Sequence, residues 1–134
     1  MLRRAVVVSL FSVFAAVQAA DALTTRNGVR VNPVNDAVFE AVPRGSTTGA
    51  VFWCAASEYA RRALKAGWQD EIYVASPMGP SVTTNRRSAV QFTMDPQAAG
   101  ITPIQSTHSL NRFNVGDHMS VQQANRFCEE QPNW

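Results

Sequence analysis

The chain has 134 residues, with 12 basic and 10 acidic side chains and a formal charge of +2. Arg3 and Arg4 lie in a segment that reads as a cleaved signal, and without them the charges balance. No basic excess then points to nucleic acid or to an acidic membrane surface, and the length suits one domain able to bury a core.

Residues 1–19 have the layout of an export signal. Arg3 and Arg4 form a basic start, residues 5–17 are apolar apart from two serines, and Val17-Gln18-Ala19 puts small residues at the cleavage positions. A cut after Ala19 or Ala20 is expected. The apolar run is shorter than the roughly 20 residues of a membrane span, so no stable membrane anchor is expected once the signal is removed. The remaining chain, residues 20–134, reads as a single small α+β domain in a periplasmic or secreted setting.

Residues 20–36 read as a mobile lead, with Asn27-Gly28 as a turn and a short edge strand at 29–31 ended by Pro33. Residues 37–42, AVFEAV, are predicted as the first sheet strand. Residues 43–49 connect to a helix, with Ser46, Thr47 or Thr48 as its N-cap.

Residues 51–64 hold the clearest helical period. At about 100° per residue, Phe52, Ala55, Ala56, Tyr59, Ala60 and Ala63 share one face, with Trp53 and Leu64 at its edge. Ser57, Glu58, Arg61, Arg62 and Lys65 fall opposite. Gly67 fits a left-handed stop with Trp68 folded back on the last turn. Trp53, Tyr59 and Trp68 are assigned to the core rather than to a ligand cage. Cys54 breaks the pattern, falling on the polar side near Arg61. Either it is exposed or another element covers that side of the first turn.

Residues 71–75 and 89–94 are predicted strands, the second alternating between Val90, Phe92 and Met94 on one face and Gln91 and Thr93 on a wet one. The connection at 76–88 is too long for a tight hairpin turn. Residues 97–109 read as an irregular loop, 110–115 as a weaker strand, and Gly116-Asp117 as a turn. Ser120 and Gln123 match a capping box that opens a helix over 121–130, ended by Pro132. Val121, Ala124, Phe127 and Cys128 share its apolar side, and Trp134 closes the chain.

Two cysteines in an exported chain make a Cys54–Cys128 disulfide the default. It would also supply the missing cover for Cys54, because the C-terminal helix would lie over that side. The expected fold is a three- or four-stranded, mainly antiparallel sheet, with one long helix packed on it and a short C-terminal helix tied on by the disulfide.

The competing chemistry is a cysteine nucleophile. A cysteine in the first turn of a helix lies near the positive end of the dipole, which lowers its pKa. His108 or His118 would be its base, with Asp117 or Asn111 as orienter. A cysteine-bearing helix followed by antiparallel strands is similar in broad layout to papain-like hydrolases, without any local motif of such a family. The two histidines have no metal-ligand spacing, and no metal or cofactor is expected.

The best candidate binding surface is the 76–88 connection. Ser81, Thr83, Thr84, Asn85, Arg86 and Arg87 offer hydroxyls, an amide and two guanidiniums suited to carboxylate or phosphate. The function expected from sequence is a non-enzymatic exported module that binds a partner protein or a small anionic ligand. The alternative is a small cysteine hydrolase using Cys54.

Overall fold

The computed structural model describes residues 21–129. The signal segment, Pro132 and Trp134 lie outside them. Six strands and two helices follow one another as β1 (Leu23–Thr24), β2 (Arg30–Pro33), β3 (Val38–Val42), α1 (Gly49–Arg62), β4 (Glu71–Gly79), β5 (Ala89–Thr93), β6 (His118–Ser120) and α2 (Val121–Glu129). They form one sheet in the order β1-β2-β3-β5-β4-β6, with every neighbouring pair antiparallel. The α+β class is as expected, but the sheet has six strands, not three or four. β2 is the strand expected at 29–31, running on to Pro33 and lying inside the sheet rather than at its edge, while β1 is an addition in the stretch read as a mobile lead. There β1 and β2 pair through Leu23↔Val31 and Thr24↔Arg30, and Val29 and Val31 are buried. A strand as short as β1 gives no periodic signal of its own.

Strand alternation decides what each face carries. Val31, Phe39, Ala41, Ile72, Val74, Val90 and Phe92 point to one side and pack against Phe52, Trp53, Ala55, Ala56, Tyr59 and Ala60 of α1. Aromatic rings link the layers: Phe39 lies 4.6 Å from Tyr59 between centroids, and Trp53 meets Phe92 edge-on at 5.2 Å. The opposite face is not uniformly wet. Thr93 is fully buried there, its hydroxyl donating to the Ala37 carbonyl at 2.6 Å.

α1 is buried around nearly its whole circumference, its expected polar side included. Cys54, Ser57 and Glu58 are all buried. One cover is α2, joined through the Cys54–Cys128 bond with Cα atoms 5.0 Å apart, within the range a disulfide requires. The other is the β1–β2 turn. Glu58 accepts from the Arg26 backbone N–H at 3.1 Å and pairs with Arg62 at 2.9 Å. The wheel placed these residues correctly relative to one another, but a wheel carries no information about distant chain.

Three local expectations change. Residues 110–115 form no strand. Phe113 inserts into the core against Phe52, and Asn111 Oδ1 accepts the N–H of Gly49 at 3.0 Å. That contact caps α1 from a distant segment, because the N-cap residue Thr48 makes no side-chain cap bond. The left-handed residue at the end of α1 is Lys65, with φ 57°, rather than Gly67. Trp68 is 47% exposed and lies beneath the Arg61 guanidinium instead of in the core. At α2 the expectation holds, Ser120 Oγ accepting the Gln123 N–H at 3.1 Å.

Candidate functional site

The most unusual group in the molecule is Glu40. In β3, Phe39 and Ala41 face the helices, so Glu40 faces the other side, between Asn32 of β2 and Gln91 of β5. Alternation alone would leave this carboxylate in water, yet Glu40 is 0% exposed. An isolated buried carboxylate is costly and must be hydrogen-bonded. The partners come from the connection after β4. Ser81 Oγ donates to Oε1 at 2.6 Å, the Thr83 N–H donates to Oε1 at 2.9 Å, and the Val82 N–H donates to Oε2 at 3.1 Å. The Thr83 hydroxyl also donates to Oε1. Burial pushes the carboxyl up, but the bonds from Ser81, Thr83 and the backbone outweigh it and hold Glu40 below its ordinary value of 4.5.

Around this anchor the loop closes on itself. Ser81 Oγ accepts from both the N–H and the hydroxyl of Thr84, at 2.9 and 2.8 Å. The Ser81 N–H donates to the Arg86 carbonyl at 3.0 Å, and Arg86 Nη1 donates to the Arg44 carbonyl at 2.8 Å. On the other side, Asn32 Nδ2 donates to Thr83 Oγ1 at 2.8 Å, and Arg30 Nε donates to Asn32 Oδ1 at 3.0 Å. Two hydrogen-bonded arms therefore run from one carboxylate, one ending at Arg30 and the other at Arg86.

Both arms end at a pocket of ≈ 220 Å³. Thr24 and Gly28 of the β1–β2 region, Arg30 of β2, Val42 to Arg44 at the end of β3, and Thr84 and Arg86 of the loop line it. None of these is acidic, and no described carboxylate pairs with Arg30, Arg44 or Arg86. A wider depression of ≈ 540 Å³ lies between the end of α1 and β4, but there Lys65 is accompanied by Asp70 and Glu71, so it has no single charge character.

The structure divides the six loop residues named from the sequence. Thr84 and Arg86 line the pocket. Ser81 and Thr83 turn inward to Glu40, and Asn85 and Arg87 are exposed outside the lining. Arg30 and Arg44 were missed, being 14 positions apart and joined only by the β2–β3 pairing that sets Arg30 opposite Val42.

The residues of the nucleophile alternative are not assembled. Cys54 is bonded to Cys128, and no described cysteine is free. A bonded sulfur has no thiolate with which to attack. His108 is exposed in a loop at φ 54°. The His118 ring pairs with Glu71 at 3.0 Å and tilts against Tyr73. Asp117, the suggested orienter, is buried and accepts from the Thr107 hydroxyl at 2.6 Å and the His118 N–H at 2.9 Å, both bonds that hold the loop. Asn111 is the helix cap described above. Among the described residues no group of three His, Cys, Asp or Glu side chains is placed to hold a metal ion, and no helix is long and apolar enough to cross a membrane.

No protein-family model, curated protein or solved structure matches this chain.

Proposed function

We propose that the protein is an exported, non-enzymatic binding module that captures an anionic group in the Arg30–Arg44–Arg86 pocket. The single observation that carries this reading is a cavity lined by three arginines, Arg30, Arg44 and Arg86, with no acidic residue in its lining. Arginines gathered without counter-charges repel one another and favour an incoming anion.

The Glu40 anchor supports the same reading. Burying a carboxylate is a poor route to stability, since a well-packed apolar side chain costs less. What the carboxylate supplies is a fixed shape for an otherwise polar loop, and that shape sets Thr84 and Arg86 beside Arg44. Holding binding groups on a pre-ordered support reduces the entropy lost when a ligand arrives. Export is supported by the basic and apolar start of the chain and by the disulfide.

The test is a titration of the purified protein with three anionic probes: acetate, inorganic phosphate and poly-glutamate. At least one should bind saturably, more weakly as salt rises. Replacing both Arg44 and Arg86 with alanine should remove that binding. If none of the probes binds, or the double variant binds equally well, this reading is wrong.

A further inference from the structure

We infer that the group this pocket takes is a phosphate monoester or free phosphate rather than a carboxylate, an inference that rests on the anion-binding reading above. Three observations carry it, and each concerns the pocket itself.

The first is the match of charge and donors. One guanidinium fork satisfies the two oxygens of a carboxylate. The three arginines that line this cavity carry more positive charge than a single carboxylate balances. A phosphate monoester carries roughly −1.5 to −2 near neutral pH and presents three strong acceptor oxygens. Three arginines with no acidic neighbour in the lining suit that charge and that number of oxygens.

The second is size. At ≈ 220 Å³ the cavity is smaller than pockets for drug-sized ligands, which start at about 300 Å³. It accommodates a head group, and its arginines are exposed, so the rest of a ligand can extend into solvent.

The third is orientation. Arg30 is held through Nε by Asn32, and Arg86 through Nη1 by the Arg44 carbonyl. Each keeps further N–H donors beyond the one used in that bond. The Arg30 bond traces back to Glu40 through Asn32 and Thr83, and the Arg86 backbone is tied to Glu40 through Ser81. Two of the three guanidiniums are thus held in place before any ligand arrives, which lowers the ordering cost of binding.

The source of the phosphate group is a separate matter, and it is resolved by comparing probes. Inorganic phosphate, glycerol phosphate and vesicles of neutral lipid with and without phosphatidic acid are each titrated into the full protein. Acetate and poly-glutamate serve as carboxylate probes. Amide shifts of Gly28, Thr84 and Arg86 report on the pocket. At pH 7.5 both soluble phosphates should bind saturably, at least about tenfold tighter than acetate. At pH 5, below the second ionisation of phosphate near pH 6, their affinity should fall severalfold, whereas sulfate should not change. Glu40, held below 4.5, stays charged at both values, so the loop is the same in the two measurements. Tighter binding to the phosphatidic acid vesicles than to glycerol phosphate assigns the group to a lipid, and the reverse assigns it to a soluble ester.

Arg44→Ala with Arg86→Ala should reduce phosphate affinity tenfold or more, a rough scale for charged hydrogen bonds. Arg44→Gln alone, which leaves the backbone carbonyl that holds Arg86, is the second variant should the alanine pair fail to fold. Acetate or poly-glutamate binding at the same amides as tightly as phosphate overturns the phosphate assignment and leaves anion binding standing. Loss of both classes of binding overturns the two together.

Discussion

The Ser81 hydroxyl donates to Oε1 of Glu40 across 2.6 Å, joining residues 41 positions apart in the chain. That contact fastens the connection after β4 onto the face of the sheet opposite the helices. Removing the carboxylate leaves the Ser81 and Thr83 hydroxyls and two backbone N–H groups without their acceptor. Glu40→Ala should cost about 2–3 kcal/mol, the scale of bonds to a charged group. Chemical denaturation would measure that cost, and amide exchange should show Val82 and Thr83 losing protection. A variant as stable as the parent, with both amides still protected, would mean the anchor is incidental.

Acid should loosen the same contact. The folded Glu40 carboxyl lies below its ordinary value of 4.5, so the folded state binds a proton less readily than the unfolded chain. Its contribution is therefore fully present above that value and is lost as pH falls through the lower, folded value. Melting temperature followed from pH 7 to pH 3 should drop more steeply below about 4.5 in the parent than in Glu40→Gln. Parallel curves would remove Glu40 from the acid response.

Reducing the Cys54–Cys128 bond should destabilise the protein by about 4 kcal/mol, since it closes a long loop in the unfolded chain. For a domain of this size that lowers the melting temperature by more than about 10 °C. Thiol counting on the denatured, unreduced protein should find none. Two reactive thiols there would contradict the bond and return Cys54 to consideration as a nucleophile.

Of the glycines, Gly49 at the start of α1 has the least room for a side chain. A Cβ added at Gly49 would lie 1.7 Å from the Leu110 carbonyl oxygen. Gly49→Ala should therefore cost at least about 2 kcal/mol, because backbone rather than a flexible side chain must move. Asn111→Ala removes the cap on Gly49 and should cost about 1 kcal/mol. Comparing the two by denaturation separates space from capping, and equal small effects would contradict the geometry.

Much of this fold could be read from local sequence. The α1 period, the strands around Phe39, Ile72 and Phe92, the Ser120 cap and the disulfide all rest on neighbouring residues or on a count of cysteines. What could not be read depends on distant chain. Ser57 and Glu58 look solvated on a wheel, and they are buried because α2 and the β1–β2 turn lie over them. Glu40 sits on the outward side of an alternating strand, and nothing near it in sequence indicates that Ser81 to Thr83 will cover it. The hydroxyls of that loop were read as ligand donors, although Ser81 and Thr83 serve the protein's own carboxylate. Arg30 and Arg44 gain meaning only once β2 and β3 pair.

The measurement that most directly joins Glu40 to the pocket is a phosphate titration of the parent and of Glu40→Gln at pH 7.5, read at the amides of Thr84 and Arg86. Glu40 does not line the pocket, and removing its negative charge would by itself favour an anion, so a loss of affinity must come through the loop. The expected result is saturable binding in the parent, weakened by about tenfold in the folded variant, the scale of a lost charged hydrogen bond. Equal affinity in the two proteins, or no saturable shift in the parent, would contradict the proposal that the buried carboxylate holds an anion site in shape.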